Sequence, residues 1–342
     1  MKRTRSAVIV ALMLLFPISS FAQEGDLRLV TSPLPINLSA KPGSEVSTQI
    51  RIKNDGSMKE RLEISLLKFA AFGENGAPRI LDPEPGDEFI SWVSFIEPEF
   101  DIEPGEWKTV PMSIALPESA SFGYYYAVVF SRAGAVSEPE AGQTAIAGGT
   151  AVLVLLEADV PGAKREVRTV SFSTDRTIYE FLPATFTVRV ENIGNVHLSP
   201  RGNVFVGRAG SQDADILEIN PEKGNILPQS FREFSTIWSD GFPAYDTVIE
   251  DGKVMRDEDG TIRKRLLWSG GDISRIRIGK YQAKLIMIYD DGQRDVPLEG
   301  VVEFWVIPWR ILLGSFVIVL LVLVGVRSTL TGLFGRIKKK RK

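Results

Sequence analysis

The chain has 342 residues, no cysteine, one histidine and 43 acidic against 40 basic residues, for a formal net charge of −3. The lack of cysteine excludes disulfides, thiolate metal sites and cysteine nucleophiles, and the single histidine, His197, supplies neither the usual zinc site nor the base of a serine triad without unusual partners. All 43 acids lie between Gln23 and Trp309, an acidity that argues against a nucleic-acid partner.

Lys2, Arg3 and Arg5 precede the apolar run Ala7 to Phe16, Pro17 and a Ser20-Phe21-Ala22 triplet. That is the layout of a secretory signal peptide over residues 1–22, so the mature chain begins near Gln23, outside the cytoplasm. A cysteine-free exterior suits a bacterial surface or periplasm better than an animal one.

The pattern from there is β. Val46, Thr48, Ile50 and Ile52 alternate with Ser47, Gln49, Arg51 and Lys53 before Asn54-Asp55-Gly56; Phe186, Val188 and Val190 alternate likewise before Asn192-Ile193-Gly194. Each reads as a half-buried strand with its turn. A second echo pairs Gly123, Tyr125, Ala127 and Val129 with Gly279, Tyr281, Ala283 and Leu285, and resembles the tyrosine corner of immunoglobulin-like sandwiches. The expected fold is all-β: two tandem immunoglobulin-like β-sandwich domains, over 23–162 and 163–307, plus one C-terminal transmembrane α-helix. Within the first, Pro117 closes a strand, Ser131 to Gly149 reads as a surface loop, and the apolar run Thr150 to Leu156 as a closing strand. Within the second, extra residues between Phe242 and Trp268, with Asp251-Gly252 and Asp259-Gly260 as hairpin turns, point to a charged finger.

Ile311 to Val326 contains no charged residue, and the 22 residues from Trp305 to Val326 make about 33 Å of helix against a hydrocarbon core of about 30 Å. Residues 308–327 are therefore read as a span. Trp305 and Trp309 are its interfacial aromatics and Arg310 a snorkelling cation; Arg327, Lys338, Lys339 and Lys340 belong to the basic cytoplasmic side, 328–342. Leu330, Leu333, Phe334 and Ile337 are spaced for one helical face in that tail.

No phosphate loop, dinucleotide fingerprint or nucleophile elbow occurs, so no catalytic residues, cofactor or small-molecule substrate are expected. His197 reads as a surface turn residue. Acids around Asp82, Glu84, Asp87 and Glu88, around Asp257, Glu258 and Asp259, and at Asp290-Asp291 read as turn residues or, alternatively, calcium ligands, though none has the spacing of a calcium loop and no metal is assigned. Phe122, Tyr124, Tyr125 and Tyr126 form an aromatic group in which alternation puts Tyr124 and Tyr126 on one face. These two are the candidate ligand-binding residues, since surface aromatics favour sugars and protein partners; packing is the competing reading.

Pro42-Gly43, a strand ending in Asn54, and later Pro104-Gly105-Glu106, an alternating strand, Pro117 and Gly123 resemble the first domain of the WxL-interacting proteins of bacterial surfaces. The order of signal peptide, two immunoglobulin-like domains, single anchor and basic tail is similar too. The resemblance implies peptidoglycan binding by the membrane-distal domain and protein partners for the second. The resulting expectation is a non-enzymatic, single-pass plasma-membrane protein with both sandwiches extracytoplasmic, contacting cell-wall glycan or an exported surface protein. The alternative is a scaffold or chaperone-like subunit of an envelope or secretion complex that offers an edge strand.

Overall fold

The computed structural model describes residues 27–134, 149–211, 214–250, 253–257, 260–268 and 275–339, with side chains as far as Ser328. The expected signal peptide, most of the 131–149 loop, the Asp251-Gly252 turn and Lys340 lie outside the described residues.

Period-two alternation builds the first sandwich. Ile50 and Ile52 are fully buried while Gln49 and Arg51 face solvent, as a pleated strand with one covered face requires. One sheet contains β1 (Leu29–Ser32), β3 (Glu45–Asn54), β8 (Trp107–Ala115) and β6 (Val93–Phe95), in that order. The facing sheet runs β2 (Ile36–Ala40), β10 (Thr150–Ala158), β9 (Gly123–Arg132), β4 (Glu60–Phe72), β5 (Ala77–Leu81), with β7 (Glu99–Ile102) paired to the start of β4. Leu62, Ile102, Met112, Ile114, Tyr126, Phe130 and Val154 fill the space between them.

The second sandwich repeats the plan. One sheet is β11 (Val167–Thr174), β13 (Ala184–Asn192) and β16 (Phe231–Trp238); the other is β12 (Ile178–Tyr179), β22 (Asp295–Val306), β21 (Gly279–Asp290), β14 (Arg201–Arg208) and β15 (Ala214–Ile219). In both sandwiches the opening strand divides between sheets: β2 and β12 each pair parallel with the last strand, β10 and β22. The core gathers Tyr179, Phe186, Trp238, Tyr281 and Phe304.

The two Asn-x-Gly echoes adopt one structure. Asn54 and Asn192 are both fully buried. Asn54 Nδ2 donates to the carbonyls of Met58 and Ile102, and its Oδ1 accepts the Gly56 N–H. Asn192 Nδ2 donates to Val196 and Ile226, and its Oδ1 accepts the Gly194 N–H. A buried amide that satisfies three backbone groups, two in its own turn and one on a distant segment, locks the strand end to its neighbours. The Gly-x-Tyr echo is not equivalent in the same way. Tyr281 faces the core, but Tyr125 faces outward, toward the second sandwich.

The expected finger is present as a short ladder: β17 (Ala244–Thr247) pairs β20 (Lys264–Leu267), and β18 (Ile249–Glu250) pairs β19 (Lys253–Val254). Beyond β22, only Ile307 and Pro308 precede helix α1 (Trp309–Lys339), whose segment Trp309–Ser328 is long and apolar enough to cross a membrane and buries nothing against the sandwiches. The helix is continuous to Lys339, so residues 329–339 extend the apolar segment rather than forming a separate helix.

Candidate functional site

Strands β9 and β10 are apolar on both faces. Val152, Val154 and Leu156 point into the first core, while Ala151, Leu153 and Leu155 point outward with Ala127, Val129 and Phe69. A sheet apolar on both sides needs two covers. The second sandwich supplies the outer one in part, through Leu227. Where the cover ends there is a cleft of about 670 Å³, floored by Phe69, Ile80, Ala151, Leu153 and Leu155 and walled by Ile226, Leu227 and Phe231.

Polar contacts fix the two sandwiches around this cleft. The turn between β4 and β5 reaches across: Glu74 accepts Arg189 Nε and Nη2 at 2.6 and 2.7 Å, and its carbonyl accepts the Glu233 N–H at 2.7 Å. Those bonds hold the Glu74 carboxyl below the usual carboxylate range and raise the Arg189 guanidinium. Arg189 also lies 4.2 Å over the Phe231 ring. Elsewhere Asn225 donates to Asn37 at 3.1 Å, and Arg165 pairs with Glu157. Burial raises the Glu157 carboxyl, against the opposing pull of Arg165.

One cation borders the cleft. Arg232 donates to the Asn225 carbonyl, and its buried Nε has no hydrogen-bond partner. Its guanidinium lies against Gly76, at φ +82°, and Gly224; a Cβ at either position would collide with it. Burial lowers its pKa, with Glu222 opposing. An apolar floor with a guanidinium and an exposed strand edge at its rim suits an extended, mostly apolar chain.

The residues expected to bind ligand lie elsewhere. Tyr126 is fully buried in the first core, its hydroxyl donating to the Phe89 carbonyl, which removes it from the surface. Tyr124 is partly covered by Phe89 and Trp92, with ring centroids 5.6 and 4.7 Å away. The face they share is the core face, because inward β9 positions meet the opposite sheet. His197 corrects a second expectation. It is buried, not a surface turn, and its ring meets Tyr125 edge-on at 5.8 Å across the joint. Burial, aided by Arg165, pushes its pKa down to about 4.

Trp305, near the end of β22, and Trp309, the first residue of the helix, are both exposed. Arg310, expected to snorkel, lies 3.4 Å from Glu180 Oε1 and 5.3 Å over the Trp309 ring. Arg327 lies near the end of the apolar segment, and Lys338 and Lys339 in the last helical turn. Of the acidic clusters, Asp87 and Glu84 pair with Lys68, and Asp290 and Asp291 accept backbone N–H groups of their own turn. Among the described residues no group of three or more metal-ligating side chains converges.

No family model and no curated protein matches the chain. Solved structures align at low similarity. The class 5 fimbriae chaperone CfaA is 12% identical, with 80% of this chain and 98% of that chain covered, at a TM-score of 0.35. The Pseudomonas aeruginosa CupB2 chaperone is 10% identical over 81% and 100%, at 0.33. A chaperone–tip adhesion subunit complex from the Csu pili of Acinetobacter baumannii is 12% identical over 60% and 89%, at 0.31. Superpositions this loose carry nothing about partner or activity. The class of the protein follows from its own sheets: all-β, two immunoglobulin-like sandwiches and a single C-terminal helix.

Proposed function

We propose that this is a membrane-anchored envelope protein that binds an extended, largely apolar segment of another exported polypeptide in the cleft between its sandwiches, without catalysis. The observation that carries this reading is the outward row Ala151, Leu153 and Leu155 on β10, apolar in a position that half-covered sheets normally leave polar. β5 adds to it. It pairs only with β4 among the described residues, and its Ala77, Pro78 and Ile80 line the cleft, so an incoming strand can pair along its free edge. In this reading α1 is the single span, and the basic residues after it hold that end in the cytoplasm with both sandwiches outside.

Cell-wall glycan, which the resemblance to WxL-interacting proteins implies, is the competing ligand. Sugars stack on exposed aromatic faces, and the burial of Tyr126 with the cover over Tyr124 favours the polypeptide reading. The test is a photo-crosslinking residue at Leu153 in the full chain in its own membrane, compared with one at exposed Ile96. Adducts with exported polypeptides at Leu153 alone are the expected result. Equal adducts at both positions, or cell-wall fragments at Leu153, would overturn it.

A further inference from the structure

Large apolar side chains are exposed together at the end of the second sandwich where the helix begins. Ile178 and Trp305 are paired in register on the parallel strands β12 and β22. Their neighbours Tyr179 and Val306 are buried in the core, so Ile178 and Trp305 point away from it; they are 60% and 45% exposed. Trp309, the first residue of the helix and three residues beyond the end of β22, is 53% exposed. The finger brings a fourth group. Its root, Gly241, Phe242 and Pro243, shares a small cavity with Val306 and Pro308, and Phe242 meets Trp268 edge-on at 6.0 Å. Trp268 is 59% exposed.

We infer that this collar of Ile178, Trp268, Trp305 and Trp309 is a second membrane contact, seated in the lipid headgroup zone of the leaflet that α1 enters. The inference rests on reading α1 as a span. Three observations select a bilayer over another occupant. The collar is continuous with the apolar helix, two residues from the end of β22. Three of its four members are tryptophans, whose flat amphipathic ring is the side chain most at home between headgroups and acyl chains. Its rim carries ion pairs, Lys280 with Glu303 at 2.6 Å and Arg277 with Asp240, rather than a further apolar surface that a protein partner would cover. The Arg310–Glu180 pair ties the first turn of the helix to the residue following β12. The helix start and the β12 strand that carries Ile178 therefore share one end of the sandwich, where the collar lies.

The absence of cysteine makes the test direct. Single cysteines at Ile178, Trp268, Leu320 and Gln293 are introduced into the full chain, labelled with an environment-sensitive fluorophore, and reconstituted in vesicles of zwitterionic and anionic lipid. Brominated acyl chains quench from the bilayer and iodide from water. Leu320 reports the span itself, and Gln293 lies in the turn at the opposite end of the β21–β22 hairpin. Expected is a deep lipid-quenched label at 320, shallow lipid quenching with loss of most iodide quenching at 178 and 268, and iodide quenching alone at 293. If 320 is lipid-quenched while 178 and 268 behave like 293, the collar is overturned and the span stands; if 320 is not, the span reading fails first. Protection of 178 and 268 from iodide without lipid quenching would mean a protein cover and would also overturn it. As a check independent of labelling, Trp268→Phe should remove part of the lipid-quenchable tryptophan emission of the unlabelled chain.

Discussion

The hairpins β9–β10 and β21–β22 hold the same place in their sandwiches, yet their burial differs. Along β21, buried Tyr281, Ala283, Leu285 and Met287 alternate with Gln282, Lys284, Ile286 and Ile288 that are at least partly exposed. Along β9, Tyr126, Ala127, Val128, Val129 and Phe130 are all buried. Core packing is common to the two, so the difference reports what lies on the outer face: water and ion pairs for the second hairpin, the joint and its cleft for the first. A strand that loses its alternation in a sandwich marks a contact beyond that sandwich.

Charge placed on the two outer faces should separate them most. Leu155→Asp, at a position 2% exposed on β10, should cost roughly 4 kcal/mol, whereas Lys284→Asp on β21 should stay within about 0.5 kcal/mol. Urea unfolding reads both, and equal costs would break the comparison. The paired asparagines sharpen it from the other side. Asn54→Ala and Asn192→Ala should each cost about 2–3 kcal/mol, because each leaves backbone groups on separate segments without a partner; a large inequality between them would mean the two strand ends are not equivalent.

The joint also gives the protein an acid sensitivity. His197 titrates near 4 when folded and near 6.5 when unfolded. Below pH 6.5 the unfolded chain takes up a proton that the folded chain refuses, so stability falls as pH drops and levels off below the folded value. Between pH 7 and pH 5 the loss should be about 2 kcal/mol, and His197→Phe should remove most of it. The smallest effect on stability belongs to Glu74→Gln. It weakens a half-buried pair that solvent still reaches, so the unfolding midpoint should move little, while small-angle scattering should register a looser arrangement of the two sandwiches.

Much of this was readable from residues. The alternation through Ile52 and Val190, the Asn-x-Gly turn that ends each of those strands, the finger after Phe242 and the apolar helix all depend on local spacing, which sequence displays. What was hidden depends on distant partners. Alternation tells that Tyr124 and Tyr126 share a face, but with apolar residues on both sides of β9 it cannot tell which face is core. His197 follows a turn, and the Tyr125 ring that packs against it lies far back in the chain. The cleft needs Glu74 beside Arg189, and Leu227 against the outer face that carries Leu153, groups that no window along the chain brings together. One signal was available: Thr150 to Leu156 runs apolar without alternation, and a strand covered on two sides is the simplest cause.

Because Ile307 and Pro308 are the whole connection between β22 and the helix, the sandwich has little freedom to tip or swing. With α1 as the proposed span, the twelve-residue hairpin strands would act as a post of roughly 40 Å, carrying the cleft above the lipid. A client chain leaving that bilayer would need about a dozen extended residues to arrive there, so the proposed arrangement would select by distance from the membrane as well as by chemistry.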